Sequence, residues 1–324
     1  MINTIDKVMR LRGLIAAAGL DGVIVPRADE HLGEYVPPGA ERLAWLTGFT
    51  GSAGLAAVLA ETAAVFTDGR YVLQLAAQTD PSVFEPRHII EQPPAAWLKV
   101  NSPAGARIGY DPRVISADAL DRYQDAGLSM VPTATNLVDD AWTDRPPAPR
   151  APALPHKLAV AGTPSAEKRA SLAADLAEAG EDAAVLTDPA SIAWLLNIRG
   201  GDLAYTPFAL GFALLHRDAS VQLFMDPGKL GPETRAWLGN GVAVAAPDAL
   251  EAALAALGGR RVRVDRTTAP IWFEQRLQAA GAVVRDGPDP CALPKARKNA
   301  VEQDGTRHAH QRDAVAVCRF LHWL

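Results

Sequence analysis

Apolar side chains stand at Ile5, Val8, Leu11, Ile15 and Ala18. Those steps of three and four place them on one helical face. Gly19 follows, suited to the position just past a helix C-cap. After Asp21, the apolar run GVIVP (22–26) reads as a short buried strand. The same order returns in the second half. Leu172, Leu176 and Ala179 repeat the spacing of Leu11, Ile15 and Ala18, although Arg169 stands where Val8 does. Gly180 ends that helix, Asp182 matches Asp21, and AAVLTD supplies the strand.

Four further pairs of segments keep the same order. AWLTGFTGS (44–52) matches AWLLNIRGG (193–201), and VFTDGRY (65–71) matches LFMDPGK (223–229). RIGYDPRVI (107–115) matches RVRVDRTTA (261–269), and DAGLSMVP (125–132) matches AAGAVVRD (279–286). The pattern predicts two copies of one α/β unit, each about 140–150 residues long. Its order is helix, strand, AW turn, strand, strand, helix, strand. The turns at Asp68-Gly69 and Asp226-Pro227-Gly228 read as hairpins, so some strands should pair antiparallel. Each copy is expected to be a mixed sheet flanked by helices. Between the copies, DRPPAPRAPALPHK (144–157) holds five prolines and reads as a stiff, extended linker. The predicted organisation is domain I at 1–145, linker at 146–157 and domain II at 158–293, with a closing helix at 294–324. That helix starts polar and ends on Val315, Val317, Phe320, Leu321, Trp323 and Leu324, with no stop signal. The expectation is that the natural protein continues beyond it; a terminal helix docked on the body is the alternative.

Composition narrows the function. The chain has 324 residues, 48% hydrophobic and 21% charged, with a net charge of −5. This is a globular balance with no basic cluster for a phosphate backbone, so nucleic acid is not an expected partner. No apolar stretch approaches the ~20 residues that span a bilayer, and the N-terminus lacks the layout of a secretory signal. Only Cys291 and Cys318 occur, which fits a reducing cytoplasm.

Candidate chemistry is sparse. None of the seven histidines sits in an HExxH pattern, and His308 and His310 point to different sides of a helix. TGFTGSAG (47–54) has its glycines in a GxxGxxG spacing, neither a dinucleotide fingerprint nor a P-loop, so it reads as a backbone turn. Ser52 lies in no GxSxG elbow. The copies differ most at DEHLGEYVPPGAER (29–42), extra in the first, which carries His31, Glu34, Tyr35, Glu41 and Arg42. A loop added to one copy is as apt to meet a ligand or partner as to be ordinary surface.

Taken in order, ERLAWLTGFTGSAG, FTDGRY, DPRVI, NLVDDAWTDRPP, DPASIAWLLNIRGGDLAYTP and the run KARKNAVEQDGTRHAHQRDAVAVCRFLHWL resemble the long, three-domain Xaa-Pro aminopeptidases along essentially the whole chain. The resemblance implies two creatinase-like N-terminal domains ahead of a pita-bread catalytic domain. In that family the catalytic domain holds two divalent metal ions, usually manganese. Its metal-activated water cleaves the bond between any first residue and a following proline. The final helix matches the first helix of that catalytic domain, and the metal ligands and catalytic histidine have no counterparts here. The implied chain binds no metal, has no catalytic residue of its own and should be inactive alone.

One site residue carries over. In the family, the arginine of the TDGRY motif helps to bind the peptide, and it maps to Arg70; Tyr71, Glu41 and Arg42 are candidate supports. A guanidinium suits peptide carbonyls and carboxylates. The second copy has Lys229 one residue later, so domain II is expected to be a platform rather than a second site. Expected partners are a peptide with proline in second position and the protein's own catalytic domain, with a homodimer left open. The competing readings are a stand-alone scaffold built from the repeat and a catalytically dead relative of creatinase or prolidase.

Overall fold

The computed structural model describes residues 3–324 as two compact units, residues up to 149 with 266–275, and residues 150–265 with 276–324. In the first unit, helix α1 (Thr4–Ala17) leads to strand β1 (Gly22–Pro26), helix α2 (Arg42–Thr47), strand β2 (Leu55–Leu59) and strand β3 (Ala63–Thr67). Helix α3 (Val72–Gln78), strand β4 (Glu85–His88), helix α4 (Pro94–Asn101), strand β5 (Arg107–Tyr110), helix α5 (Ala117–Asp125), strand β6 (Ser129–Pro132) and helix α6 (Leu137–Ala141) complete it.

The six strands run in the order β4-β3-β2-β1-β5-β6. β2 pairs antiparallel with both β1 and β3, while β4, β5 and β6 join in parallel. Val8, Leu11 and Ile15 of α1 pack with Leu43 and Leu46 of α2 against Val23, Val25, Val58 and Val65 on one face. Ile24, Phe66 and Ile108 pack on the other face, against Trp97 and Leu98 of α4 and Leu120 and Tyr123 of α5. The alternation of Val23, Ile24 and Val25 between the faces is the period-two pleat, and with both faces covered every one of them is buried. Ile5, placed on the buried face by spacing, is half exposed.

The second unit opens with strand β7 (Leu154–Pro155), helix α7 (Leu158–Ala161), helix α8 (Ser165–Glu178), strand β8 (Ala183–Leu186), helix α9 (Pro189–Leu196) and strand β9 (Ile198–Arg199). Strands β10 (Phe212–His216) and β11 (Val221–Phe224), helix α10 (Pro232–Leu238), strand β12 (Val242–Ala245), helix α11 (Leu250–Ala255) and strand β13 (Arg261–Val264) follow. Helix α12 (Ile271–Ala279), whose first residues belong to the 266–275 segment of the first unit, strand β14 (Val283–Asp286), helix α13 (Ala292–Ala296) and helix α14 (Ala300–Trp323) come after. Its main sheet runs β12-β11-β10-β8-β13-β14, with the same sequence of antiparallel and parallel pairs as the first. The fold is thus two mixed α/β units of one topology.

Matched side chains repeat matched contacts. Asp21 Oδ2 accepts from Arg107 N at 2.8 Å, and Asp182 Oδ2 accepts from Arg261 N at 2.9 Å. Each arginine also donates to the carbonyl of the glycine after the first helix, Gly19 or Gly180, both in the left-handed region at φ 66° and 70°. Lys7 Nζ donates to Trp45 O at 2.6 Å, and Lys168 Nζ to Trp194 O at 2.9 Å, each ammonium lying over its indole. The AW segments are short helices rather than turns. They end on Gly48 and Asn197, the two residue types that tolerate the left-handed C-terminal position.

Two further expectations need correcting. Asp68-Gly69 closes no hairpin: β3 and β4 are parallel, and the turn delivers the chain into α3. Asp226-Pro227-Gly228 likewise leads through a 3₁₀ turn to α10. The antiparallel pairs of the two main sheets lie elsewhere, at β1–β2 and β2–β3 and at β8–β10 and β10–β11. The closing helix is also broken. Asn299 accepts from Glu302 N while Glu302 accepts from Asn299 N, a capping box that starts a new helix at Ala300 instead of extending one from Pro294. Val315, Val317, Phe320, Leu321, Trp323 and Leu324 are exposed on that helix.

Leu11 and Leu172 are repeat-equivalent and 0% and 1% exposed. Leu11→Ala and Leu172→Ala should each cost about 2–5 kcal/mol. Urea unfolding followed by far-UV circular dichroism checks this, with the transition of the altered unit moved to lower urea in each variant.

Candidate functional site

The predicted hand-hold sits where β3 ends. Thr67 is buried, its hydroxyl bonded to Ala53 O at 2.7 Å, so the chain leaves the core at Asp68. Asp68 Oδ1 accepts from Arg70 N at 3.0 Å, and Tyr71 N returns to Asp68 O at 3.1 Å. This turn throws the Arg70 side chain outward, and 60% of it is exposed. It is nevertheless held. Its Nε lies 3.1 and 3.2 Å from the two Asp68 carboxylate oxygens, and its Nη2 lies 2.8 Å from Oδ2. The Tyr71 ring supplies a π face 5.1 Å from the guanidinium carbon. Hydrogen bonds from Arg70 hold the Asp68 carboxyl below its ordinary range, and the Asp68 carboxylate raises Arg70 in return.

Tyr71 is tied in turn. Its hydroxyl lies 3.0 Å from Ser52 Oγ, which donates to Glu34 Oε1 at 3.0 Å. The ring packs edge-on against Phe49. The glycines of TGFTGSAG make this approach feasible. A Cβ at Gly51 would lie 2.2 Å from the Phe49 ring, and one at Gly54 would lie 2.6 Å from Phe66 O. Sequence reading singled out Glu34 and Ser52 separately but did not join them. A contact between a loop and a turn 18 residues on has no periodic signature.

Glu41 and Arg42 reach other partners. Glu41 Oε1 accepts from Arg27 Nη2 at 3.3 Å, and burial pushes the Glu41 carboxyl up against the opposing pull of Arg27. Arg42 is 2% exposed and bonds Asp139 through Nε at 2.7 Å and Nη2 at 2.9 Å, with Glu30 Oε1 2.6 Å from Nη2. Burial works against the charge on Arg42, yet Asp139 and Glu30 more than offset it and raise its pKa. Arg42 therefore anchors the added loop, and Tyr71 alone of the three supports touches Arg70.

The second unit uses the matching segment differently. Lys229 is 5% exposed, and its Nζ lies 2.6 Å from Asp202 Oδ2 and 3.1 Å from Leu210 O. Asp202 also accepts from Ala151 N and Leu210 N. The cation that faces solvent in the first unit is here turned inward to pin the 202–210 loop. Among the described residues, no three His, Cys, Asp or Glu side chains gather as a metal-binding group. The two divalent ions implied by the resemblance therefore find no ligand set in these residues, and no metal chemistry is assigned to them. His308 pairs with Asp304 at 3.3 Å, and His310 bonds Thr306 O at 2.9 Å. No helix of the described residues is long and apolar enough to cross a membrane.

Comparison with known proteins gives this geometry its family. Residues 7–140 match the family model of the creatinase/prolidase N-terminal domain, and residues 144–302 match a second model of the same description. The chain belongs to the creatinase/prolidase N-terminal domain family, and carries that domain twice. It is 33% identical to human "Xaa-Pro aminopeptidase 2" over 341 residues, covering 100% of this chain and 50% of that protein. It is 32% identical to "Aminopeptidase P1" of Arabidopsis thaliana, covering 97% and 54%. A solved X-prolyl aminopeptidase from Caenorhabditis elegans, described as a cytosolic enzyme with a di-nuclear active site, superposes on all of this chain and 56% of its own. Its TM-score is 0.91 and its identity 27%. The chain thus spans about half the length of the curated relatives it matches.

The two arginines should separate cleanly in unfolding experiments. Arg42→Ala strands Glu30 and leaves Asp139 with Arg145 alone, and should cost about 3–5 kcal/mol, whereas Arg70→Ala should leave the urea midpoint unmoved. Asp111, at the end of β5, offers a pH test. Burial raises its carboxyl, so the folded chain keeps that proton longer than the unfolded chain. Its contribution is full below the ordinary aspartate pKa of about 3.9 and fades as pH rises through the raised value. Asp111→Asn should remove that fall from a plot of stability against pH; an unchanged curve would show that Asp111 titrates normally.

Proposed function

We propose that this chain shapes the substrate pocket of an Xaa-Pro aminopeptidase, an enzyme that removes the first residue from peptides with proline second. Bond cleavage, and the two divalent metal ions that serve it, belong in this reading to a further catalytic part of the protein, with manganese the expected metal. Arg70 contacts the peptide, Tyr71 steadies Arg70, and the second domain serves as a platform. A cytoplasmic setting accords with the relative described as cytosolic.

The observation that carries the reading is the contrast between the cations of the two matching segments, Arg70 and, one residue later, Lys229. Lys229 is buried and used by the fold, while Arg70 is exposed yet ordered by Asp68 and Tyr71. An ordered, exposed guanidinium is prepared for a ligand, because little of its freedom remains to be lost on binding.

The test uses the full-length protein and an Xaa-Pro tripeptide. Arg70→Ala should lower kcat/KM by about 10–100-fold, the scale of one hydrogen bond to a charged group. Normal turnover by that variant would remove Arg70 from the site. The 324-residue chain alone, with manganese added, should release no N-terminal residue; turnover there would place catalysis within these two domains.

A further inference from the structure

The parallel pairing of β1 with β5 stops early. Only Gly22 with Ile108 and Val23 with Gly109 are in register, against five pairs between β1 and β2. Beyond Val23 the two strands part. A cavity of about 10 Å³ lies beside the freed end of β1, lined by Ile24, Val25 and Pro26 and by side chains from the segments after β5 and β6.

The polar groups on its wall do not balance. Arg42 is 2% exposed and spends Nε and Nη2 on Asp139 and Glu30, but its buried Nη1 has no partner. A buried guanidinium N–H left unpaired is costly. Asp111 lines the same cavity and accepts one bond on each oxygen, from Arg113 N and from Asn136 Nδ2, both at 2.8 Å. Each carboxylate oxygen has a further lone pair to offer. Thr133, also on the wall, donates its hydroxyl to Tyr110 O at 3.1 Å and keeps its own acceptor capacity. A spare donor and spare acceptors therefore share a space of the size one water molecule needs. Ions fit less well. Glu30, Asp139 and Asp111 disfavour an anion, and the guanidinium disfavours a cation.

We propose that this cavity is a binding site for one ordered water, which accepts from Arg42 Nη1 and donates to Asp111 or Thr133. The water carries the reach of Arg42 across the split between β1 and β5. Arg42 then joins the added loop through Glu30, α6 through Asp139, and the end of β5 through the bridge. The site is independent of the peptidase reading.

A crystal structure of the chain, at a resolution that shows ordered solvent, tests it. One isolated density peak within hydrogen-bond distance of Arg42 Nη1 is expected. Val114→Ile, which adds a methyl group to the wall, should remove the peak and lower the urea midpoint, because Nη1 is then left dry. A wild-type cavity without density overturns the proposal, and so does a raised midpoint in Val114→Ile, the response of a dry apolar void being filled. Val138→Ile fills the cavity from another wall and carries the same two readings should Val114→Ile not fold. Water-oxygen magnetic relaxation gives a solution measure: one long-lived water lost in the filled variant supports the site, and no loss overturns it.

Discussion

The guanidinium of Arg42 is the constraint on which the candidate site depends. It lies at the start of α2, out of water, and its charge is balanced by Asp139 of α6 and Glu30 of the loop found only in the first domain. Arg145 adds a second clasp on Asp139 at 2.6 Å and bonds Gly39 O at 2.6 Å. A buried cation with matched acids tolerates few alternative arrangements, since displacing any partner leaves a charge uncompensated. The loop is thus fixed at both ends of its charged stretch, and Glu34 between them is brought to Ser52. Through Tyr71 that contact reaches Arg70. A chain of contacts thus runs from buried Arg42 to exposed Arg70, which Asp68 also holds directly.

Much of the fold was readable because it is written twice. Apolar spacing located the first helix and the first strand of each copy, and Gly19 and Gly180 marked the helix ends. The duplication also made absence informative: with Gly228 opposite Arg70 and Lys229 one residue later, the fold does not demand an exposed arginine there. Local cues failed where one turn signal serves two structures. Asp-Gly followed by an apolar run suits a hairpin, but it also suits a strand-to-helix exit, and VLQLAAQ takes the helix with only Leu75 buried. The partners of Arg42 and Glu41 were illegible for another reason. Asp139 lies 97 residues from Arg42, and charge pairing at that distance leaves no periodicity to read.

The duplicated contacts also sort the conserved grammar of the fold from its specialised parts. Lys7 and Lys168 each satisfy a carbonyl near the end of the following helix and lie over the same tryptophan, and Asp21 and Asp182 each clamp the start of a parallel strand. These residues do equal work in a domain with a candidate site and in one without. Where the copies diverge, the second spends its polar groups internally: Asp202 and Lys229 close over the 202–210 loop, and Lys295 bonds Asp188 and Ser191 at the start of α9. The first spends one edge of Arg70 on Asp68 and leaves the rest of it to solvent.

The Asp68 clasp has a directional consequence. It occupies the side-on edge of the Arg70 guanidinium, formed by Nε and Nη2. What remains is the tip, with one hydrogen each of Nη1 and Nη2, and the second Nη1 hydrogen on the opposite side of the stem. An acceptor on the Nε side of the stem finds the position taken, whereas one at the tip, or beside Nη1, meets a free hydrogen. If Arg70 meets a peptide as proposed, the aspartate of the TDGRY motif would guide the approach, and its removal would widen the angles from which a carbonyl or carboxylate can be met.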